Sequence, residues 1–123
     1  MSERILIVED DETLREIYST KFDLEGFTVF AAGDGQEALD QAKQQQPSLI
    51  LLDMLMPRVS GLEFLRLYND SPEARKAKVL VASNKSSAEM IAQAMALGAC
   101  DYLIKPKLTP DEIVARAREH LAA

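Results

Sequence analysis

The chain has 123 residues, of which 47% are hydrophobic and 28% are charged, the balance of one globular domain. A net charge of -6 opposes binding to nucleic acid through this domain. No apolar run approaches the roughly 20 residues of a membrane span and no secretory signal opens the chain, so we expect no membrane contact and a cytoplasmic location. The single cysteine, Cys100, excludes an internal disulfide, is typical of a reducing compartment and is expected to be a small buried apolar residue.

The hydrophobic pattern predicts five strands that alternate with five helices. The strands are short apolar runs, at Ile5–Val8, Thr28–Ala31, Leu49–Leu52, Val79–Ala82 and Tyr102–Ile104. After each strand, apolar residues recur at helical spacing: Leu14, Ile17, Tyr18 and Phe22; Ala38, Leu39 and Ala42; residues 61–68; Ile91, Ala94 and Met95; and Ile113, Val114, Ala117 and Leu121. Met95 is expected in the core, and the polar segment 69–78 is expected to be exposed.

Four of the helix starts have a capping residue followed three positions later by glutamate, which places the boundaries better than periodicity alone. The pairs are Asp34 with Glu37, Ser60 with Glu63, Ser86 with Glu89, and Thr109 with Glu112. The first helix instead begins within the acidic cluster after the first strand and ends near Gly26, a candidate left-handed cap.

The third strand is the centre of the predicted sheet. Its four aliphatic residues, Leu49–Leu52, do not alternate with polar ones, which is typical of a strand that is buried on both faces. Strict alternation of strands and helices requires a parallel sheet, because right-handed crossovers place helices on both faces. The sequence therefore predicts one α/β domain over residues 1–123, a doubly wound sandwich of three layers.

Polar residues follow four of these strands: Glu9 and Asp10 after the first, Asp53 after the third, Ser83 after the fourth and Lys105 after the fifth. The carboxyl ends of parallel strands share one edge of the sheet, where ligands bind in this class of fold. If the first and third strands are neighbours, three carboxylates converge. Two carboxylates about 4 Å apart repel by about 4 kcal/mol at an effective dielectric constant of 20, so either a proton is held or a cation is bound. Oxygen ligands without histidine or cysteine favour Mg²⁺.

A carboxylate beside bound Mg²⁺ is a candidate nucleophile toward phosphorus. Asp53 is the better candidate than Asp10, because it follows the most central strand and is flanked by the ends of the neighbouring strands. Lys105 would add a positive charge and Ser83 a hydroxyl donor to the transferred group, whose oxygens carry the developing charge.

This set of motifs resembles the receiver domain of two-component response regulators. The motifs are ILIVEDD at 5–11, LLDMLMP at 51–57 followed by Ser60 and Gly61, LVAS at 80–83 and GACDYLIKP at 98–106. Each is weak alone, but together, in this order and at these spacings, they are highly specific and cover essentially the whole chain. The resemblance implies a flavodoxin-like fold with strand order 2-1-3-4-5.

The resemblance also implies a role for each residue of the predicted site. Asp53 would be the phosphoacceptor, and Ser83 and Lys105 would bind the phosphoryl oxygens. Mg²⁺ would be bound by Asp53, Asp10, Glu9 through water, and the backbone carbonyl of Leu55. Tyr102 would be the aromatic residue that moves inward as Ser83 moves toward the phosphoryl group, and the Lys105–Pro106 peptide would be cis.

As a member of this family, the chain would be a signalling switch rather than an enzyme acting on other substrates. It would take its phosphoryl group from a sensor histidine kinase or a histidine phosphotransfer protein. Phosphorylation would alter the face formed by the fourth helix, fifth strand and fifth helix, which a downstream effector or a second copy would bind. Leu55 and Lys85 occupy positions at which family members vary and phosphoryl lifetime is tuned, and Glu9 replaces the commoner aspartate.

Three other functions compete with this one. A degenerate receiver that binds partners without being phosphorylated is the serious alternative. A phosphatase of the aspartyl-phosphate type needs a second aspartate two residues after the nucleophile, where Leu55 stands. A nucleotide or flavin module needs a glycine-rich loop after a strand, whereas VEDDET follows the first strand and would repel phosphate unless a metal ion intervened.

Overall fold

Strands and helices alternate along the chain, as the hydrophobic pattern predicts. The computed structural model describes residues 3–56, 58–70, 77–84 and 87–123. The strands are β1 (Arg4–Val8), β2 (Thr28–Ala32), β3 (Leu49–Leu52), β4 (Lys78–Ser83) and β5 (Ala99–Ile104). The helices are α1 (Glu12–Leu24), α2 (Gly35–Gln45), α3 (Gly61–Asn69), α4 (Ala88–Ala96) and α5 (Pro110–Ala122), with a 3₁₀ turn at Lys105–Lys107. The main difference from the predicted boundaries is β5, which begins three residues before Tyr102.

The five strands form one parallel sheet in the order β2-β1-β3-β4-β5, which confirms the predicted flavodoxin-like topology. β3 lies at the centre, and all four of its residues are buried. Its side chains alternate between the two faces, so Ile50 and Leu52 contact the core under α2 and α3 while Leu49 and Leu51 contact the core under α1 and α5. A continuous aliphatic run is therefore needed, because both faces of this strand are covered.

The helix starts confirm three of the four predicted caps. The side chains of Asp34, Ser60 and Thr109 accept hydrogen bonds from the backbone N–H groups three residues later. Ser86 lies outside the described residues, and the prediction that it caps the fourth helix is wrong, since the Ser87 side chain accepts from the N–H of Met90. The serine pair allowed either register, and the helix begins one residue later than expected.

Two further expectations are wrong. Met95 is 43% exposed, because α4 buries only Ala94 against the sheet, and the flank that bears Met95 faces solvent. The peptide bond before Pro106 is trans, since the described chain contains no cis peptide bond. The 3₁₀ turn at Lys105–Lys107, which Leu108 closes by donating to the Lys105 carbonyl at 3.1 Å, accommodates Pro106 with a trans bond.

Other expectations are met in part. Cys100 is only half-buried, although it packs against one of the two cores. Residues 71–76 of the predicted polar segment, and Lys85, lie outside the described residues. Within the described ranges, no helix has the length and apolar character needed to cross a bilayer.

Candidate functional site

The topology brings together the acids that follow β1 and β3. These strands are adjacent, with Val8 level with Leu52, so Glu9 and Asp53 leave the sheet side by side. Backbone hydrogen bonds extend the pairing past the strand ends: Asp53 N–H donates to the Val8 carbonyl at 3.0 Å, and Glu9 N–H donates to the Ala32 carbonyl at 3.0 Å. Carboxylate oxygens of Glu9, Asp10 and Asp53 all lie within 4.8 Å of one another. The predicted convergence is therefore present.

Burial makes this cluster electrostatically unfavourable for Asp53. The side chains of Glu9 and Asp53 are buried, at 3% and 7% exposure, whereas Asp10 is exposed. Burial raises the pKa of Asp53 from its ordinary 3.8 to about 7, with Glu9 adding to the rise and Lys105 and the Leu55 N–H opposing it. An added cation would strongly stabilise the ionised form of such a carboxyl group, because the group is poorly solvated and lies close to a second carboxylate.

Lys105 supplies one such positive charge from the carboxyl end of β5. Its ammonium group is buried, contacts the Glu9 carboxylate directly, and lies 3.6 Å from Asp53 Oδ1. One ammonium cannot balance three carboxylates. The predicted proximity of Lys105 to Asp53 is present, whereas its direct pairing with Glu9 was not foreseen.

Ser83 and Tyr102 lie next to each other beyond this cluster. Ser83 is the last residue of β4 and fully buried, and Tyr102 lies on the neighbouring strand β5. The two side chains are hydrogen-bonded. Burial raises the pKa of Tyr102, the Ser83 hydrogen bond opposes the rise, and the charge of Asp53 adds to it. The two predicted switch residues are therefore in contact, and Tyr102 is close enough to Asp53 to sense its charge.

Sequence reasoning missed two residues of the site, Tyr18 and Arg15. Tyr18 lines a narrow cavity with Glu9, Asp53 and Lys105, and burial raises the pKa of Tyr18. Arg15 donates from Nη1 to the Glu9 backbone carbonyl at 3.0 Å. The helical spacing of α1 marks Tyr18 only as an inward-facing residue, and no sequence signal pairs Arg15 with a carbonyl of the preceding loop.

The donor set fits a hard divalent cation. The cluster offers carboxylate oxygens only, two of its members are buried, and its net charge with Lys105 is negative when all are ionised. Mg²⁺ binds to a few carboxylates and keeps its remaining positions for water or phosphate oxygens, and the exposed Asp10 leaves the cluster open to solvent. Leu55 follows Asp53 closely enough for its N–H to bond the Asp53 carboxylate, while the role of its carbonyl stays a prediction.

The comparison with known proteins agrees with this geometry. The response regulator receiver domain family matches residues 5–118. Response regulator MprA of Mycobacterium tuberculosis is 39% identical over 118 residues, which cover 96% of this chain and 50% of MprA. The phosphate regulon transcriptional regulatory protein PhoB of Klebsiella pneumoniae is 35% identical over 118 residues, covering 96% of this chain and 51% of PhoB. The chain thus spans about half the length of the curated relatives it matches.

Solved structures give the same result for the whole chain. The chemotaxis protein CheY4 of Vibrio cholerae superposes with a TM-score of 0.90 at 26% identity, covering 97% of this chain and 98% of CheY4. A CheY-like receiver domain protein of Methanospirillum hungatei superposes with a TM-score of 0.88 at 26% identity, covering 99% and 95% of the two chains. This chain therefore belongs to the response regulator receiver domain family of two-component signalling.

Proposed function

We propose that this chain is a phosphoryl-accepting switch and that Asp53 receives the phosphoryl group in the presence of Mg²⁺. The observation that carries the proposal is the buried Asp53 carboxylate, within 4.8 Å of oxygens of Glu9 and Asp10 and 3.6 Å from the Lys105 ammonium. Phosphoryl transfer to a carboxylate requires a nucleophile, a cation site and a positive charge. Asp53 is the nucleophile, the three carboxylates form the cation site, and Lys105 supplies the positive charge.

In the proposed reaction an Asp53 oxygen attacks the phosphorus of a phosphohistidine. A phosphorus–oxygen bond forms, the phosphorus–nitrogen bond breaks, and the electron pair of that bond stays with the imidazole, which takes up a proton. Asp10, Asp53, the Leu55 carbonyl and, through water, Glu9 would hold Mg²⁺. The bound ion would supply positive charge to the phosphoryl oxygens. Lys105, which contacts Glu9 before the reaction, would bind a phosphoryl oxygen afterwards.

The proposed output follows from the charge that phosphorylation adds. A phosphoryl group brings a charge of about -1.5 to -2 to Asp53. Ser83, fully buried at the end of β4, would turn its hydroxyl toward the phosphoryl group, and its partner Tyr102 would follow. Ala94 is the one buried residue of α4 and Met90 packs partly against the core, so a small apolar contact holds the helix in position. The face formed by α4, β5 and α5 is therefore the surface that we expect an effector or a second copy to bind.

The proposed phosphodonor is a sensor histidine kinase or a histidine phosphotransfer protein. The only chemistry proposed for the chain is its own phosphorylation and dephosphorylation. The cytoplasmic location remains an expectation from the sequence.

The direct test is intact-protein mass spectrometry after incubation with a small acyl phosphate such as acetyl phosphate. We expect the mass to rise by one phosphoryl group with Mg²⁺ and to stay unchanged with EDTA. Asp53→Ala should abolish the gain. Asp40→Asn, which replaces an exposed aspartate of α2, is the matched control and should be phosphorylated like the wild type.

The same experiment separates the proposal from the degenerate receiver. A wild-type protein that keeps its mass in Mg²⁺ and acetyl phosphate, and also after mixing with a phosphorylated histidine phosphotransfer protein, contradicts the proposal and favours a phosphorylation-independent interaction module. Phosphorylation that persists in Asp53→Ala would assign the acceptor to another residue.

A further inference from the structure

The loop between β3 and α3 carries Leu55, the residue proposed to offer a backbone carbonyl to Mg²⁺. Its base is tightly closed, because Gly61 N–H donates to the Met54 carbonyl at 3.0 Å. A Cβ at Gly61 would lie 2.5 Å from the Asp53 carbonyl oxygen and 2.6 Å from Met54 Cα. The start of α3 therefore rests directly against the end of β3.

Leu55 itself contributes little to holding this loop. Its side chain is 49% exposed, whereas the preceding Met54 is buried in the core at 3% exposure. The position of the Leu55 carbonyl therefore depends on what fixes the loop on either side. Met54 holds one side by burial, and on the other side Met56 and Val59 are partly buried against the same core, to which a polar contact of Arg58 adds.

That contact is an ion pair between the tip of the loop and the start of α2. The Arg58 guanidinium bonds Asp34 Oδ2, while Asp34 Oδ1 accepts the N–H of Glu37 at 2.9 Å and caps the helix. Asp34 is buried at 8% exposure. The adjacent Val59 lies against Gly35 so closely that a Cβ at Gly35 would be 2.5 Å from the Val59 carbonyl oxygen.

The backbone of Arg58 is itself unusual. Its φ is +64°, the left-handed region that residues with a Cβ rarely adopt. Glycine would adopt this φ with less strain. The contact of the arginine side chain with Asp34 is therefore one of the interactions that hold the strained conformation.

We propose that Arg58 is a positioning residue whose ion pair with Asp34 holds the loop so that the Leu55 carbonyl stays available to Mg²⁺. This inference rests on the proposed function, since it concerns the same metal site. Arg58 acts through the loop and takes no part in phosphoryl transfer. Its loss removes one of the contacts that hold the tip, beside the packing of Val59 against Gly35, and the loop then has to be ordered further when the metal binds.

The test is the Mg²⁺ dissociation constant of Arg58→Gly, Asp34→Asn, the double variant and the wild type. Tyrosine fluorescence can report binding, because the chain has no tryptophan and Tyr18 lines the cavity beside Glu9 and Asp53. Glycine accepts a positive φ, and asparagine still caps α2, so both variants should fold with melting temperatures near the wild-type value. Because the Arg58 side chain is 68% exposed and exposed ion pairs are weak, we expect each single variant to weaken Mg²⁺ binding about threefold, and the double variant to be no weaker than either.

The opposite charge changes of the two variants make this result specific. Arg58→Gly removes a positive charge near an acidic site, which by electrostatics alone would strengthen Mg²⁺ binding, whereas Asp34→Asn would weaken it. Weakening in both therefore supports positioning. Arg116→Gln breaks another arginine–aspartate pair, with Asp101 at 2.8 Å, and should bind Mg²⁺ as the wild type does.

Two results would overturn the inference, and they differ. Wild-type or tighter Mg²⁺ binding in Arg58→Gly refutes the role of Arg58 and leaves the proposed metal site intact. Absence of Mg²⁺ binding in the wild-type protein, with calorimetry agreeing with fluorescence, refutes the metal site and the role of Arg58 together.

Discussion

Replacing Asp53 with asparagine should stabilise the metal-free protein, by an amount that depends on pH. In the folded chain the Asp53 pKa is about 7, against 3.8 for the unfolded carboxyl group, chiefly because of burial. The native state therefore binds a proton more tightly than the unfolded state. The stability that comes with this proton is fully present below pH 3.8 and is lost as the pH rises toward 7.

The magnitude follows from the size of the pKa difference. One pKa unit corresponds to about 1.4 kcal/mol. The rise of the Asp53 pKa from 3.8 to about 7 therefore lowers the free energy of unfolding of the ionised form by on the order of 4 kcal/mol. Asparagine resembles the protonated acid in shape and charge, so Asp53→Asn should match the wild type near pH 4 and exceed it by about 2 to 4 kcal/mol at pH 8. The lower figure allows for water and counterions that enter the pocket.

The assay is urea denaturation of both proteins between pH 4 and 8, in EDTA and in saturating MgCl₂. Measuring the difference between two variants cancels the titration of groups that do not interact with Asp53. Mg²⁺ should stabilise the wild type more than Asp53→Asn and so narrow the gap at pH 8, because it binds the ionised carboxylate in the native state. A gap that stays constant from pH 4 to 8 in EDTA would refute the reasoning, since it would mean that burial does not disfavour the charge of Asp53.

Three further substitutions test other contacts. Lys105→Met leaves the buried carboxylates of Glu9 and Asp53 without their ammonium partner. The free energy of unfolding in EDTA at pH 8 should therefore fall by about 3 kcal/mol, and Mg²⁺ should recover part of the loss. Equal stability of the variant and the wild type in EDTA would contradict this. Thr109→Ala removes the reciprocal cap of α5 and should lower the free energy of unfolding by about 1 kcal/mol with unchanged phosphorylation by acetyl phosphate; a phosphorylation defect would count against a purely local role. Gly61→Ala places a Cβ 2.5 Å from the Asp53 carbonyl oxygen. It should lower the free energy of unfolding by about 2 kcal/mol and weaken Mg²⁺ binding. A variant that melts like the wild type would show that the backbone at residue 61 can move away from the backbone at Asp53.

The fold was largely predictable because its signals are local. The aliphatic run Leu49–Leu52 indicates a strand that is covered on both faces. The capping pair Thr109 and Glu112 is a motif only four residues long, and it marks the start of a helix. Where a local signal was ambiguous, the prediction failed: Ser86 and Ser87 are equally good caps by residue type, and the residue that caps α4 is Ser87. Met95 matches the helical stripe by spacing, yet α4 packs against the core through Ala94 and the partly buried Met90, which leaves Met95 exposed.

The candidate site divides in the same way. Alternation of strands and helices is enough to place Asp53, Ser83 and Lys105 at one edge of a parallel sheet, because every strand in such a sheet points the same way. Which side chains then meet is a different matter. The contact of Lys105 with Glu9 and the place of Tyr18 beside Asp53 join residues far apart in the sequence, and periodicity carries no information about such pairs.

By itself, the sequence determined the class of fold, the edge at which the polar residues gather and the carboxyl group best placed to react, since each depends on strand polarity and on patterns a few residues long. Tertiary contacts alone set the burial of Asp53, which raises its pKa, and the pairing of Arg58 with Asp34 between two loops. Those features depend on strand order, register and the close approach of backbones at Gly35 and Gly61, which arise when the whole chain packs together.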